Sequence, residues 1–182
     1  KSLALHKSNI TASVANNTID YALNIKDKAE NERYNLKGRL QQSQNDNYQF
    51  SLKPEDLLLN YKDWTISADN KITVSDEGVH AEHFVLNHDE QQLSINSIST
   101  AANAPVEINF SNFSIATLTG FVQPDSTLAD GTLNGKITVS NLTQQPVFVG
   151  DLSINELSIK QDTVGNIKLL VNNKVADTYF AD

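Results

Sequence analysis

The chain has 182 residues, a formal charge of -8, 39% hydrophobic residues, and neither cysteine nor methionine. The lack of Cys removes disulfides, thiolate zinc sites and cysteine nucleophiles. Scattered acidic residues do not suit nucleic acid, whose binding rests on Lys and Arg neutralising phosphates. No apolar run approaches the ~20 residues that cross a bilayer as a helix. The start at Lys1 and the end at Asp182 read as a stretch of a longer protein, with any signal or anchor outside it.

From the N-terminus onward, apolar residues occupy every second position, the period of a half-buried strand. Ile19, Tyr21, Leu23 and Ile25 form the first such set, followed by Tyr34, Leu36 and Leu40, then Tyr48, Phe50 and Leu52. Trp64 with Ile66, Ile72 with Val74, Leu93 with Ile95, and Val106 with Ile108 and Phe110 continue it. Leu133, Ile137 and Val139 come next, then Val147 with Val149, Leu152 with Ile154, Leu157 with Ile159, and Ile167, Leu169 and Val171. A slip of phase between Ile154 and Leu157 predicts a bulge.

Turn chemistry separates the sets at Asn16-Asn17, Gln44-Asn45-Asp46, Asp76-Glu77-Gly78, Asp130-Gly131 and Gln144-Gln145-Pro146. One short helix is expected over residues 113–121, where Ile115, Leu118 and Phe121 have helical spacing behind polar capping residues. A further helical turn is expected at Glu55 to Leu58. The chain reads as one β-rich unit over 1–182, with a seam near 100–105.

The expected class is all-β and antiparallel. A sheet with one apolar face must cover it, by packing on a second sheet as a sandwich, closing into a barrel, or curling into a trough. Alternation alone favours a packed sandwich, the commoner reason for it. The apolar face comprises Leu23, Leu36, Phe50, Ile66, Val74, Ile95, Ile108, Ile137, Val139, Ile154, Leu169 and Val171.

Candidate chemistry is sparse, and no cofactor, metal site or catalytic residue is assigned. His80, His83 and His88, followed by Asp89, form the one histidine cluster, yet strand positions three apart face opposite ways and do not converge on a metal. The carboxylate pairs Asp125 with Asp130 and Glu30 with Glu32 fall in loops and on polar faces, where acids serve solubility. Trp64, Tyr61, Tyr48 and Tyr34 form a candidate carbohydrate platform, although three of the four are in phase with aliphatic neighbours. No nucleophile elbow, phosphate loop or dinucleotide fingerprint is present. Sequons at Asn9, Asn112 and Asn141 are expected by chance in a chain this rich in Asn, Ser and Thr.

From Leu58 onward the order of motifs resembles the TamB family of AsmA-like envelope proteins, particularly its Bacteroidetes-type members. The carriers are Leu59-Asn60 through Trp64-Thr65-Ile66, Asn70-Lys71-Ile72 to Gly78-Val79, and the amphipathic segment from Phe113 to Phe121. Asp130-Gly131-Thr132-Leu133-Asn134-Gly135-Lys136-Ile137, Gln145-Pro146-Val147-Phe148, Asp151-Leu152-Ser153-Ile154 and Asp162-Thr163-Val164-Gly165-Asn166-Ile167 follow in order. The resemblance implies a long U-shaped antiparallel trough, the β-taco, with a closed β-sandwich as the alternative. It also implies a periplasmic setting, an inner-membrane anchor outside this stretch, and a groove that carries phospholipid acyl chains between membranes and supports outer-membrane assembly. The twelve residues above would line that groove. The implied protein partner of the full-length chain is an outer-membrane barrel protein of the Omp85 type, with no enzymatic step. The competing reading is a structural or carbohydrate-binding sandwich of a surface protein.

Overall fold

The structure, a computed structural model, describes residues 7–43, 47–122, 128–173 and 180–181. In chain order its strands are β1 (Ser8–Ala15), β2 (Thr18–Lys26), β3 (Glu32–Gln42), β4 (Tyr48–Leu52), β5 (Leu58–Leu59), β6 (Lys62–Asp63), β7 (Thr65–Ile66) and β8 (Lys71–Ser75). They continue with β9 (Gly78–Glu82), β10 (Phe84–His88), β11 (Gln91–Ser97), β12 (Val106–Ser114), the helix α1 (Ile115–Val122), β13 (Ala129–Ser140), β14 (Val147–Ile159), β15 (Asp162–Asn172) and β16 (Phe180–Ala181). The fold is nearly all β, in two large antiparallel sheets that are not closed into a barrel.

The first sheet runs β1-β2-β3-β4-β8-β9, with β5 and β6 attached to β3 as a small hairpin. The second runs β16-β15-β14-β13-β12-β11-β10-β7. Most neighbours are consecutive in sequence, as short polar turns require. Asn16 and Asn17 both have positive φ, 49° and 58°, and make the two-residue turn whose twist matches a hairpin.

The chain changes sheet at three points. It leaves the first sheet at Trp64, between β6 and β7, returns through residues 67–70, and leaves again at His83, between β9 and β10. At His83 the backbone turns left-handed, φ 51°, so one strand bends from one sheet into the other. The corner is tied by the Ala81 N–H donating to Ser97 Oγ (3.0 Å) and the Phe84 N–H donating to Asn96 Oδ1 (3.3 Å).

The return crossing depends on Asn70, which is fully buried. Its Oδ1 accepts from the Leu52 N–H (2.9 Å), and its Nδ2 donates to the Leu52 carbonyl (2.7 Å) and the Ser67 carbonyl (2.6 Å). A side-chain amide thus supplies the pairing that β4 lacks where its neighbour has left for the other sheet.

The two sheets share one core. Ile25, Tyr34, Leu52, Leu57 and Leu59 come from the first sheet and its connections, and Ile66, Phe84, Leu86, Phe113, Leu133 and Leu152 from the second, with Trp64 at the crossing.

Three expectations are corrected. Asp130-Gly131 is not a break between strands but lies inside β13, with Gly131 at φ 141° opposite the extra residue of β14, where the register shifts between Asp130 and Thr132. The helix begins at Ile115 rather than 113, because Phe113 and Ser114 still pair with Leu133 and Thr132 of β13. Glu55 and Asp56 form a turn leading into β5, not a turn of helix. The bulge expected between Ile154 and Leu157 is present, with Glu156 at φ 55°. The turn expected at residues 44–46 lies outside the described residues. Residues 98–105, near the expected seam, connect β11 to β12, which pair with each other.

Replacing Asn70 by Ala leaves the buried Leu52 amide and carbonyl unpaired, and should lower stability by about 2–4 kcal/mol in urea denaturation. Asn24→Ala on the exposed face should stay within about 0.5 kcal/mol of the parent.

Candidate apolar groove

Direct partners across antiparallel strands share a face, so the register arranges apolar side chains in rows. In the first sheet one row reads Val14, Ile19, Leu40, Phe50, Ile72 and Ala81, and a second reads Ile10, Leu23 and Leu36. A third, at the sheet's end, reads Tyr48, Val74 and Val79. In the second sheet one row reads Ile66, Leu86, Leu93, Phe110, Gly135, Leu152 and Leu169. Another reads Phe84, Ile95, Ile108, Ile137, Gly150 and Val171. Val106 with Val139, and Phe113 with Leu133, Ile154 and Ile167, complete it. These rows contain no Asp, Glu, Lys or Arg.

The register therefore sets all twelve sequence-selected residues in these rows, four in the first sheet and eight in the second. Ile66 and Val139 are buried, Val74 is exposed, and the other nine are half-buried. Leu23, Leu36, Phe50, Ile95, Ile137, Ile154 and Leu169 pack against the common core, of which Ile66 is a member.

Aromatic rings bridge the sheets. Tyr21 stacks on Phe50 with centroids 6.1 Å apart, and Phe50 stacks on Phe84 of the second sheet at 6.2 Å. Gly38 makes room for this. A Cβ there would lie 2.2 Å from the Tyr21 hydroxyl oxygen, so the ring lies flat over the bare backbone. Burial also raises the Tyr21 pKa above its ordinary value.

Cover is uneven along the strands, with Val106 and Val139 buried at the far end of the second sheet. At the helix end Tyr34, Phe113 and Trp64 are fully buried. At the opposite end Tyr48 and Val74 are exposed, and on the edge strand β1 Ile10 is 70% and Val14 76% exposed. A mainly apolar recess of about 270 Å³ lies there, lined by Val14, Asn17, Ile19, Leu40, Gln42 and Tyr48.

Charge is kept to the other faces. Arg39 donates from Nε and Nη2 to the two oxygens of Asp20 (3.1 and 3.2 Å), and Lys53 Nζ lies 2.8 Å from Oδ1. Those two cations hold the Asp20 carboxyl down at about 2. Lys136 reaches Glu107 at 2.8 Å and Lys71 reaches Glu82 at 2.8 Å, and both glutamates are held below the ordinary value. For Glu107 the Asn109 side-chain amide contributes most, then Lys136.

The three histidines go separate ways: His80 to Glu82 (3.7 Å), His83 to Asp69 (2.7 Å), and His88 to Asp89 (3.2 Å) and the Asp63 carbonyl (2.8 Å). No group of three or more metal-ligating side chains occurs among the described residues. Glu30 pairs with Lys7, Glu32 accepts from Asn24, and Asp125 lies outside the described residues. Tyr34 and Trp64 are buried while Tyr48 and Tyr61 are exposed, so the four rings make no common platform. Among the described residues, no helix is long and apolar enough to cross a membrane.

No family model, curated protein or solved structure matches the chain.

Sequence reasoning missed β1 altogether, because its apolar positions Ile10, Ala12 and Val14 alternate with small residues that blur the contrast. It also passed over Phe84 and Leu86, whose alternation with Val85 is apolar on both faces.

The Asp20 carboxyl titrates at about 2 when folded, against 3.8 ordinarily, so its contribution to stability is complete above pH 3.8. That contribution is lost as pH falls from 3.8 toward 2. Arg39→Ala should move the Asp20 midpoint back toward the ordinary value in a carboxyl-detected NMR titration.

Proposed function

We propose that this chain is a segment of a lipid-carrying bridge of the bacterial envelope, in which acyl chains lie along the facing apolar rows. The observation that carries this reading is that nine of the twelve selected residues, on rows free of charge, remain half-buried between sheets that do not close. An ordinary dry core would submerge such residues, since covering one large aliphatic side chain is worth about 1.5–3 kcal/mol. The ordered motifs resembling the TamB family support the same reading.

On this reading transport is passive. Acyl chains exchange one apolar surface for another at little cost, and head groups stay near solvent at the rim. No residue does covalent chemistry, and the driving energy comes from elsewhere. The setting is the periplasm, with the full-length protein anchored in the inner membrane and working with an outer-membrane barrel of the Omp85 type. Phospholipid is the cargo, and outer-membrane assembly is the process served.

The test is site-specific photo-crosslinking in intact bacterial cells, with the probe residue at Leu40 or Ile137 on the apolar rows, or at Gln41 or Lys136 on the opposite faces. Phospholipid adducts at the first pair and none at the second are expected. Equal yields at all four positions, or no lipid at any, would leave a dry structural sandwich as the better account.

A further inference from the structure

The helix α1 stands at the end of the facing sheets opposite the exposed rim, and its contacts reach both of them. Toward the second sheet the Thr119 hydroxyl donates to the Ala129 carbonyl (3.1 Å). Toward the first, the Tyr34 hydroxyl donates to the Thr117 carbonyl (3.2 Å). Gly120 lets the helix approach closely, since a Cβ there would lie 2.3 Å from the Tyr34 hydroxyl oxygen and 2.6 Å from the Arg33 guanidinium. Ile115 packs on the common core, and Phe113, Trp64 and Tyr34 lie buried at this end.

This closure is weakly held. The helix has eight residues, too few for stability of its own. Thr117 is fully buried, yet its hydroxyl has no hydrogen-bond partner, and neither has the buried Trp64 indole N–H. Each such atom regains a partner only when water reaches it, which favours opening. Just before the helix, β12 breaks register between Phe110 and Phe113, with Asn112 left-handed at φ 47°. Pairing resumes after it at Phe113 with Leu133 and Ser114 with Thr132, so the pivot is the Ser114–Ile115 step where strand gives way to helix.

We propose that α1 is a removable plug: it swings away at the Ser114–Ile115 junction, where β12 ends, while the sheets stay paired, and uncovers Trp64, Phe113 and Tyr34 as a continuation of the apolar rows. Its meaning for transport rests on the lipid reading, but its motion does not. Closed, the plug makes the groove blind at this end. Open, it joins the rows to the exterior at both ends.

Hydrogen exchange tests the motion without any lipid. In the parent chain the α1 amides should exchange at least about tenfold faster than those of β13. Thr117→Val, which replaces the unpaired hydroxyl by a methyl, should slow α1 several-fold. Gly120→Ala should speed it and raise acrylamide quenching of Trp64, the only tryptophan, while the β2 and β3 amides keep their protection. An α1 that exchanges at the β13 rate, no slowing in Thr117→Val, or sheets that lose protection together with the helix in Gly120→Ala would each overturn the proposal. With vesicles of brominated phosphatidylcholine, quenching of Trp64 in Gly120→Ala but not in the parent supports continuity of the path, and equal quenching in both overturns the plug. Fast α1 exchange with no lipid adduct at Leu40 would instead sink the lipid reading and leave the plug standing.

Discussion

The three places where the chain changes sheet govern this molecule. A sheet with one apolar face cannot stand alone in water, and here the two such sheets are continuous with each other through Trp64, residues 67–70 and His83. Because the strand β9–β10 bends rather than ends, the apolar faces of its two halves turn toward one another. Asn70 satisfies the backbone that this departure would orphan, and the stack Tyr21, Phe50 and Phe84 spans the space between. Burial is deep beside the crossings and the helix and again at Val106 and Val139, and it falls away on β1 and at Tyr48 and Val74.

That uneven cover says more about the facing surface than any single residue does. A catalytic centre concentrates polar groups in a dry pocket and shifts their pKa values there. Here, among the described residues, the carboxyl held furthest from its ordinary value is that of Asp20, on the face away from the rows, and its cause is two surface cations. Polar chemistry and apolar surface are segregated across the thickness of each sheet. What remains on the facing side is an extended apolar surface, interrupted by glycines such as Gly38 and Gly135 that let rings and strands approach, and by polar residues such as Gln42 and Ser97 at the row ends.

Most of the fold was legible because period-two alternation survives wherever one face is covered. Asn16-Asn17 announced its turn by composition, and the slip between Ile154 and Leu157 announced its bulge. Other features have no local signature. Lys160 and Gln161 make a two-residue turn with φ of 52° and 74°, a conformation usually left to Asn or Gly, and the long pairing of β14 with β15 imposes it. The division into two sheets is likewise invisible in alternation, since His83 and Trp64 look like any strand residues. The groove residues could be chosen from phase alone. Their degree of cover could not, because it depends on which strands end up opposite one another.

The rows of the first sheet have one more property. They stop at β1, a strand of eight residues with no charge, no proline and no bulge, and with its apolar side chains uncovered. Edges are normally defended by such features. A row that simply stops can be extended by one hairpin at a time without repacking anything already in place, since each new strand meets only its neighbour. Length is therefore a nearly free variable in this architecture, and natural selection could adjust the span of such a protein by duplicating or deleting hairpins while its cross-section stayed constant.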